Sequence, residues 1–226
     1  MKKNFLILFF IFYSSLSEAH MDHYKKYNLI EMDVLRNGEI IGFNNYSFKR
    51  KGNETIITNK IKFSVKILGT TIFKLEGFGE EKYIEDQLVS YNSKTFQNDK
   101  KKFVNLSLDK ANNIFNIKGS SYSGNAKTSN IVGNWWNHKI LLTDSQISPI
   151  SGSIKKQVVT FIGKEKIEIN GEIYEVERFT IKSKDMAQPK DKRLDFNVWY
   201  DQNRSLVVKV SYSRMGNWEY RLKSIK

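Results

Sequence analysis

The chain has 226 residues, 37 Lys and Arg against 24 Asp and Glu, a net charge of +13, and no cysteine. Without cysteine there is no disulfide, no thiol nucleophile and no thiolate metal site, so packing alone must hold the fold. The basic balance favours anionic surfaces such as phospholipid headgroups or lipopolysaccharide; the lysines are nonetheless spread through the strands, and no RNP, helix-turn-helix or zinc-finger pattern points to nucleic acid.

At the start, Lys2 and Lys3 precede an apolar run from Phe5 to Tyr13, and Ser17-Glu18-Ala19 then sets small residues where a signal peptidase reads. This predicts a signal peptide over 1–19, cleaved after Ala19, and a periplasmic or secreted destination. Residues 20–226 are then expected as a single β-rich domain and a monomer.

Most later runs alternate with a period of two, the pattern of half-buried strands. A first run to Leu35 meets Asn37-Gly38, the strongest short hairpin signal, because both turn positions need positive φ. Glu39 to Lys51 return, and Lys51-Gly52-Asn53 turns again. Ile57, Ile61, Phe63, Val65 and Ile67 then share one face, with Lys60, Lys62, Ser64 and Lys66 on the other. Gly69 ends that strand and Thr70 to Phe78 begin the next. Turns at Glu85-Asp86-Gln87, Asn98-Asp99-Lys100 and Asn112-Asn113 separate further strands. Regular spacing of this kind predicts a large antiparallel meander curled into a half-barrel or open barrel.

The rhythm breaks from Ser120 to Gly152. Residues 120–130 are polar and loop-like, and Asn134 to Leu142 lack alternation and suit a short helix. Trp135, Trp136, Ile140 and Leu141 need burial, so 120–152 reads as an insertion or lid over the sheet. Alternation then resumes. Asn170-Gly171 is a second hairpin signal, the charged loop from Asp185 to Arg193 follows, and Leu194 to Tyr200 lead through a polar turn into Leu206 to Ser213. Trp199 and Tyr200, adjacent in a strand, point to opposite faces, and Asp201 suits the start of the turn.

Several of these pieces, in this order, carry a resemblance. They are Asn37-Gly38, Ile41-Gly42, Leu68-Gly69, Glu80-Glu81, Ser93-Lys94-Thr95 before Lys102-Phe103-Val104, Trp135 or Trp136 ahead of Leu141-Leu142, Trp199-Tyr200-Asp201 followed by Leu206-Val207, and Gly216-Asn217-Trp218-Glu219-Tyr220. Together they resemble an uncharacterised family of exported bacterial proteins with a domain of unknown function. That layout is similar to the incomplete β-barrels of periplasmic lipoprotein carriers, and the resemblance implies a concave face that holds acyl chains under a helical lid.

On this reading a hydrophobic face is the candidate ligand site. Ile61, Phe63, Val65, Ile67, Phe73, Leu75, Val198 and Tyr200 are its candidate residues, with Trp135, Trp136, Ile140 and Leu141 above them. The face of Phe73 and Leu75 is left open, since a one-residue slip inverts a strand. The expected function is binding or shielding of a lipid or acyl chain in the cell envelope. Two other classes stay open: an interaction module docking on an envelope protein or anionic polymer through a basic face, including peripheral contact with an anionic membrane surface, and an enzyme acting on an envelope polymer.

For catalysis no residue stands out. His138 lies in no known motif, and Glu80, Glu81 and Asp201 read as solvated charges near turns, with Glu80 and Glu81 on opposite faces. No cofactor is called for. For metal, cleavage after Ala19 would free His20 as the N-terminus, where with His23 or Asp22 it could chelate copper.

Overall fold

The computed structural model describes residues 20–226, and the predicted signal segment lies outside them. The strands in chain order are β1 (Leu29–Arg36), β2 (Glu39–Lys51), β3 (Glu54–Ile67), β4 (Thr70–Ile84), β5 (Gln87–Gln97), β6 (Lys100–Asp109), β7 (Ile114–Gly119), β8 (Ser123–Lys127), β9 (Ile131–Val132), β10 (Ser145–Ile147), β11 (Ile154–Ile169), β12 (Glu172–Ser183), β13 (Asp195–Asp201), β14 (Leu206–Ser213) and β15 (Asn217–Ile225). They form one sheet in the order β8-β7-β6-β5-β4-β3-β2-β1-β15-β14-β13-β12-β11-β10-β9. The expected mainly-β meander is present. It is an open barrel, since β8 and β9 are the two edges. Pairing of β1 with β15 joins the two halves of the chain, and β9 beside β10 is parallel.

Local chemistry explains the turns. Asn37 and Gly38 have φ of 51° and 87°, and Asn170 and Gly171 have 53° and 82°, the left-handed pair a two-residue hairpin turn requires. Turn residues thus set where the strands reverse, and strand alternation sets what each side buries. The run 120–130 differs from its reading as loop: Ser123–Lys127 pair with β7 as an edge strand in which only Ala126 is buried. An edge strand with one core residue leaves no alternation to detect.

Successive reversals give the sheet two ends. One, the tip end, carries the turns at Asn37-Gly38, Leu68-Gly69, Asn98-Asp99 and Met215-Gly216, and the 184–194 loop. The other, the N-terminal end, carries the turns at Gly52, Glu85-Asp86, Asn112-Asn113, Asn170-Gly171 and 202–205, together with a 3-10 turn at His20–Tyr24.

The core lies between the inward side of the sheet and the segment 128–152. Trp135 stacks edge-on to Phe196 of β13 at 5.2 Å between ring centroids, while Trp136 meets Phe48 of β2 and Tyr83 of β4 at 5.6 and 5.8 Å. Adjacent tryptophans thus reach opposite wings, so the sheet wraps around the insertion. A 3-10 turn, His138–Leu141, follows, with Asn137 as its cap. At the tip end Ser121 N–H donates to the Ser151 carbonyl at 3.0 Å, so the insertion bridges the gap that no strand pairing closes.

Candidate functional site

The register settles which residues face inward. Phe63 opposes Leu75 and Val65 opposes Phe73, so these four share the inward side of β3 and β4 with Ile61. Val34, Phe63 and Leu75 form a small buried cluster of their own, against which Ile61, Phe73, Ile150 and Trp218 pack. Ile67, at the tip, is half exposed. Val198, Trp135 and Trp136 belong to the main core, and Tyr200 packs on it. The predicted ligand face is therefore divided into two clusters.

Between them remains a cavity of about 90 Å³, lined by Ile61, Gly77, Tyr91, Trp135, Ile150 and Tyr220 with the polar Asn44, Asn59, Ser93 and Thr95. Its width is limited by the insertion: the Tyr91 and Ser93 hydroxyls both donate to the Pro149 carbonyl, at 2.9 and 2.7 Å. Tyr46 adds a third tie, its hydroxyl accepting from Trp135 N–H at 3.1 Å and from Asn44 Nδ2 at 2.8 Å.

Glu81 corrects the reading of solvated charges. Glu80 and Glu81 do lie on opposite faces, but Glu81 points inward and is 2% exposed. Its Oε1 accepts from Trp136 Nε1 at 2.8 Å and Asn134 Nδ2 at 2.7 Å, and its Oε2 accepts from the Tyr83 hydroxyl at 2.8 Å. Burial pushes the carboxyl pKa up, and the three donors pull against it. Two of these donors come from the insertion, so the carboxyl latches it to β4. Nothing in the sequence pattern marks this contact, since the three donors lie at separations of 2, 53 and 55 residues. Asp201 is also buried, at 1% exposure, but in the expected turn role. Its Oδ1 accepts from Arg204 N–H at 3.0 Å and its Oδ2 from Arg204 Nη1 at 2.7 Å.

His23 and His138 meet where the N-terminal turn closes its end of the sheet. The Tyr24 hydroxyl lies 2.7 Å from His138 Nδ1 and accepts from His138 N–H at 3.0 Å. The His23 and Tyr200 rings each lie 5.4 Å from that of His138. Burial, the largest cause, and the nearby His23 and Lys139 lower the His138 pKa to about 4, so its ring is neutral near pH 7. Among the described residues no group of three or more His, Cys, Asp or Glu comes together to hold a metal ion. His23 faces the His138 ring and the Ser205 hydroxyl.

The outward side of β2 to β6 departs from the polar surface that a one-sided sheet normally shows. Register places Phe43, Lys62, Glu76, Phe96 and Lys101 in one cross-strand row, and Asn45, Lys60, Phe78, Lys94 and Phe103 in the next. The four phenylalanines are 38–47% exposed. Lys101 Nζ sits 5.9 Å from the Phe96 ring centre, and Lys62 pairs with Glu76 at 3.4 Å. Lys60, Lys94 and Lys101 have no carboxylate facing them in these rows. The sequence held half of the signal, the lysines of β3; the rest needed the register of four neighbours. Trp199, also outward, is covered instead: its indole N–H donates to Glu165, and Arg178 and Lys209 lie over its ring at 5.1 and 4.9 Å.

A domain of unknown function, DUF6134, matches residues 32–223. Among solved structures, the beta-barrel-like protein of domain of unknown function DUF1849 from Brucella abortus is similar, with a TM-score of 0.60 at 10% identity, over 88% of this chain and 96% of that one. At that identity the likeness speaks for the fold alone. No curated protein matches the chain.

Proposed function

The chain belongs to the family of the domain of unknown function DUF6134, and from that premise we propose that it is a non-catalytic module of the cell envelope that docks on anionic phospholipid headgroups through the outward face of β2 to β6. The observation that carries this reading is the interleaving of Phe43, Phe78, Phe96 and Phe103 with Lys60, Lys62, Lys94 and Lys101. Exposed rings on a regular sheet gain nothing from water, whereas an interface of headgroups takes both rings and ammonium groups. Each lysine near an anionic surface contributes about 1 kcal/mol. Lys101 lies against the Phe96 ring, and a lysine stem so placed keeps an apolar face soluble when it is undocked.

A resident acyl chain is the weaker reading. At ~30 Å³ of liquid volume per water, the cavity between the two halves of the predicted ligand face has room for about three waters. A lipid would need the insertion to leave, breaking the Glu81, Tyr46 and Tyr91 ties. An enzyme reading has the buried Glu81, whose pKa is raised, as its carboxyl, and that group is outside the cavity lining.

The test uses residues 20–226 with vesicles of phosphatidylcholine and phosphatidylglycerol, and with vesicles of phosphatidylcholine alone. Sedimentation should bring the protein down with the anionic vesicles, less so as salt rises. Lys60→Glu with Lys94→Glu should lose that binding, while Lys156→Glu with Lys164→Glu, on β11, should keep it. Equal behaviour of the two double variants would sink the face-docking reading. Solvent extraction and mass spectrometry of the same protein would reveal a stoichiometric lipid if the acyl-chain reading is right instead.

A further inference from the structure

We propose that the tip end of the sheet is a bilayer-penetrating rim, with Leu68 and Met215 as its insertion points; this rests on the headgroup-docking reading above and adds the depth and the orientation of the contact. The starting observation is where the chain places apolar residues in left-handed turns. Among the described residues, eight other than glycine have clearly positive φ: Asn37, Leu68, Glu85, Asn98, Asn113, Asn170, Ser205 and Met215. Six are polar, as expected where water and a left-handed backbone coincide. The two apolar ones, with φ of 49° and 51°, are both at the tip end. Leu68 is 100% exposed and Met215 88%.

Each of these two residues breaks two local rules at once. A bulky side chain is disfavoured at positive φ, and a fully exposed apolar one gains nothing by folding. Neither packs on anything that would compensate. Sites of that kind, where local choice and fold disagree, are expected where function decides the residue. At the N-terminal end the turns carry Gly52, Glu85-Asp86, Asn112-Asn113 and Asn170-Gly171. The asymmetry is between the two ends of one sheet.

Neighbours extend the rim. Ile40 is 65%, Ile67 49%, Ile72 46% and Met186 59% exposed. Hydrogen bonds tie the Asn37 turn, the Met215 turn and the 184–194 loop to one another. Arg36 Nη2 donates to the Met215 carbonyl at 2.6 Å, Asn217 N–H donates to Asn37 Oδ1 at 2.8 Å, and Arg214 Nη2 donates to the Arg193 carbonyl at 3.0 Å. Lys66, Lys74, Lys190, Lys192 and Arg214 stand among them, suited to headgroup phosphates. Glu39, Asp99, Asp185 and Asp191 share this end, so apolar burial rather than net charge must supply the penetration. The rim also continues the docking face: Lys74, Glu76 and Phe78 follow one another at every second residue along the outward side of β4, between the tip and the Phe–Lys rows.

The absence of cysteine allows a direct test, since one introduced thiol is the only one in the chain. Leu68→Cys and, at the opposite end, Asn170→Cys are each labelled with a nitrobenzoxadiazole fluorophore and mixed with phosphatidylcholine–phosphatidylglycerol vesicles. The label at 68 should shift to the blue and be quenched by spin-labelled lipid, and the label at 170 should stay aqueous; matching responses would overturn the rim. Leu68→Asn and Met215→Asn form the second test. Asparagine suits a left-handed turn, so both variants should keep or raise the melting temperature while vesicle partitioning falls roughly tenfold for each. If these variants partition as the parent does while Lys60→Glu with Lys94→Glu abolishes binding, the rim is wrong and face docking stands. If the asparagine variants lose binding and the lysine variants do not, the rim stands and the face is wrong.

Discussion

The indole N–H of Trp136 and a carboxylate oxygen of Glu81 meet at 2.8 Å across 55 residues of sequence, and both groups are buried. The bond fixes the insertion against β4, and with it the surface on which Tyr24, Phe48 and Tyr83 stack around the Trp136 ring. A buried charge-bearing group is costly unless its partners are in place. The insertion and the sheet therefore hold each other.

Removing the carboxyl should loosen that arrangement. Glu81→Ala leaves the Trp136, Asn134 and Tyr83 donors without their acceptor, and a loss of about 2–4 kcal/mol is expected. Glu81→Gln keeps Oε1 for Trp136 and Asn134 and sheds the cost of burying a charge, so it should lose much less. Urea denaturation of both variants checks this. Equal losses would mean that the hydrogen bonds at Oε1 are not what matters.

Acid should weaken the fold through His138. Its pKa is about 4 in the folded protein and 6.5 in the ordinary case. Between those values the unfolded chain binds the extra proton, so stability is full above about pH 6.5 and is lost as pH falls toward 4. Glu81, whose pKa is raised, contributes in the opposite sense. The comparison must therefore be between parent and His138→Gln across the same pH series. Melting temperatures of the variant should fall less between pH 7 and 5 than those of the parent. Parallel curves would show that His138 does not titrate in this way.

Gly42 should tolerate no side chain. A Cβ there would lie 2.0 Å from the Lys62 carbonyl oxygen and 2.5 Å from Phe63 Cβ, where β2 and β3 pair closely. Backbone cannot yield as a side chain can, so Gly42→Ala should cost about 1–3 kcal/mol or more by overpacking. Gly38, by contrast, has open space around its Cβ position and a φ of +87°. Gly38→Ala should cost about 1 kcal/mol, through its backbone alone. Denaturation midpoints of the two variants would rank them, and the reverse order would contradict the close approach at Gly42.

What the sequence determined by itself is local. Period-two alternation set the inward residues of β3 and the opposed directions of Trp199 and Tyr200. The Asn-Gly pairs set two of the hairpins, because few residues accept the backbone these turns need. The break in rhythm after Ser120, with its tryptophans, marked the insertion. What only the tertiary structure decided depends on pairing between distant strands. Register across five strands assembled the Phe–Lys rows and gave Phe73 and Leu75 their side. The joining of β1 to β15 brought the tips of Asn37 and Met215 together. The curl of the sheet around residues 128–152 delivered Trp136 and Asn134 to Glu81 and divided the predicted ligand face into two clusters. Alternation in one strand fixes which way a residue points relative to its neighbours; it says nothing of which residue waits opposite, and closure of the sheet is what supplies that residue.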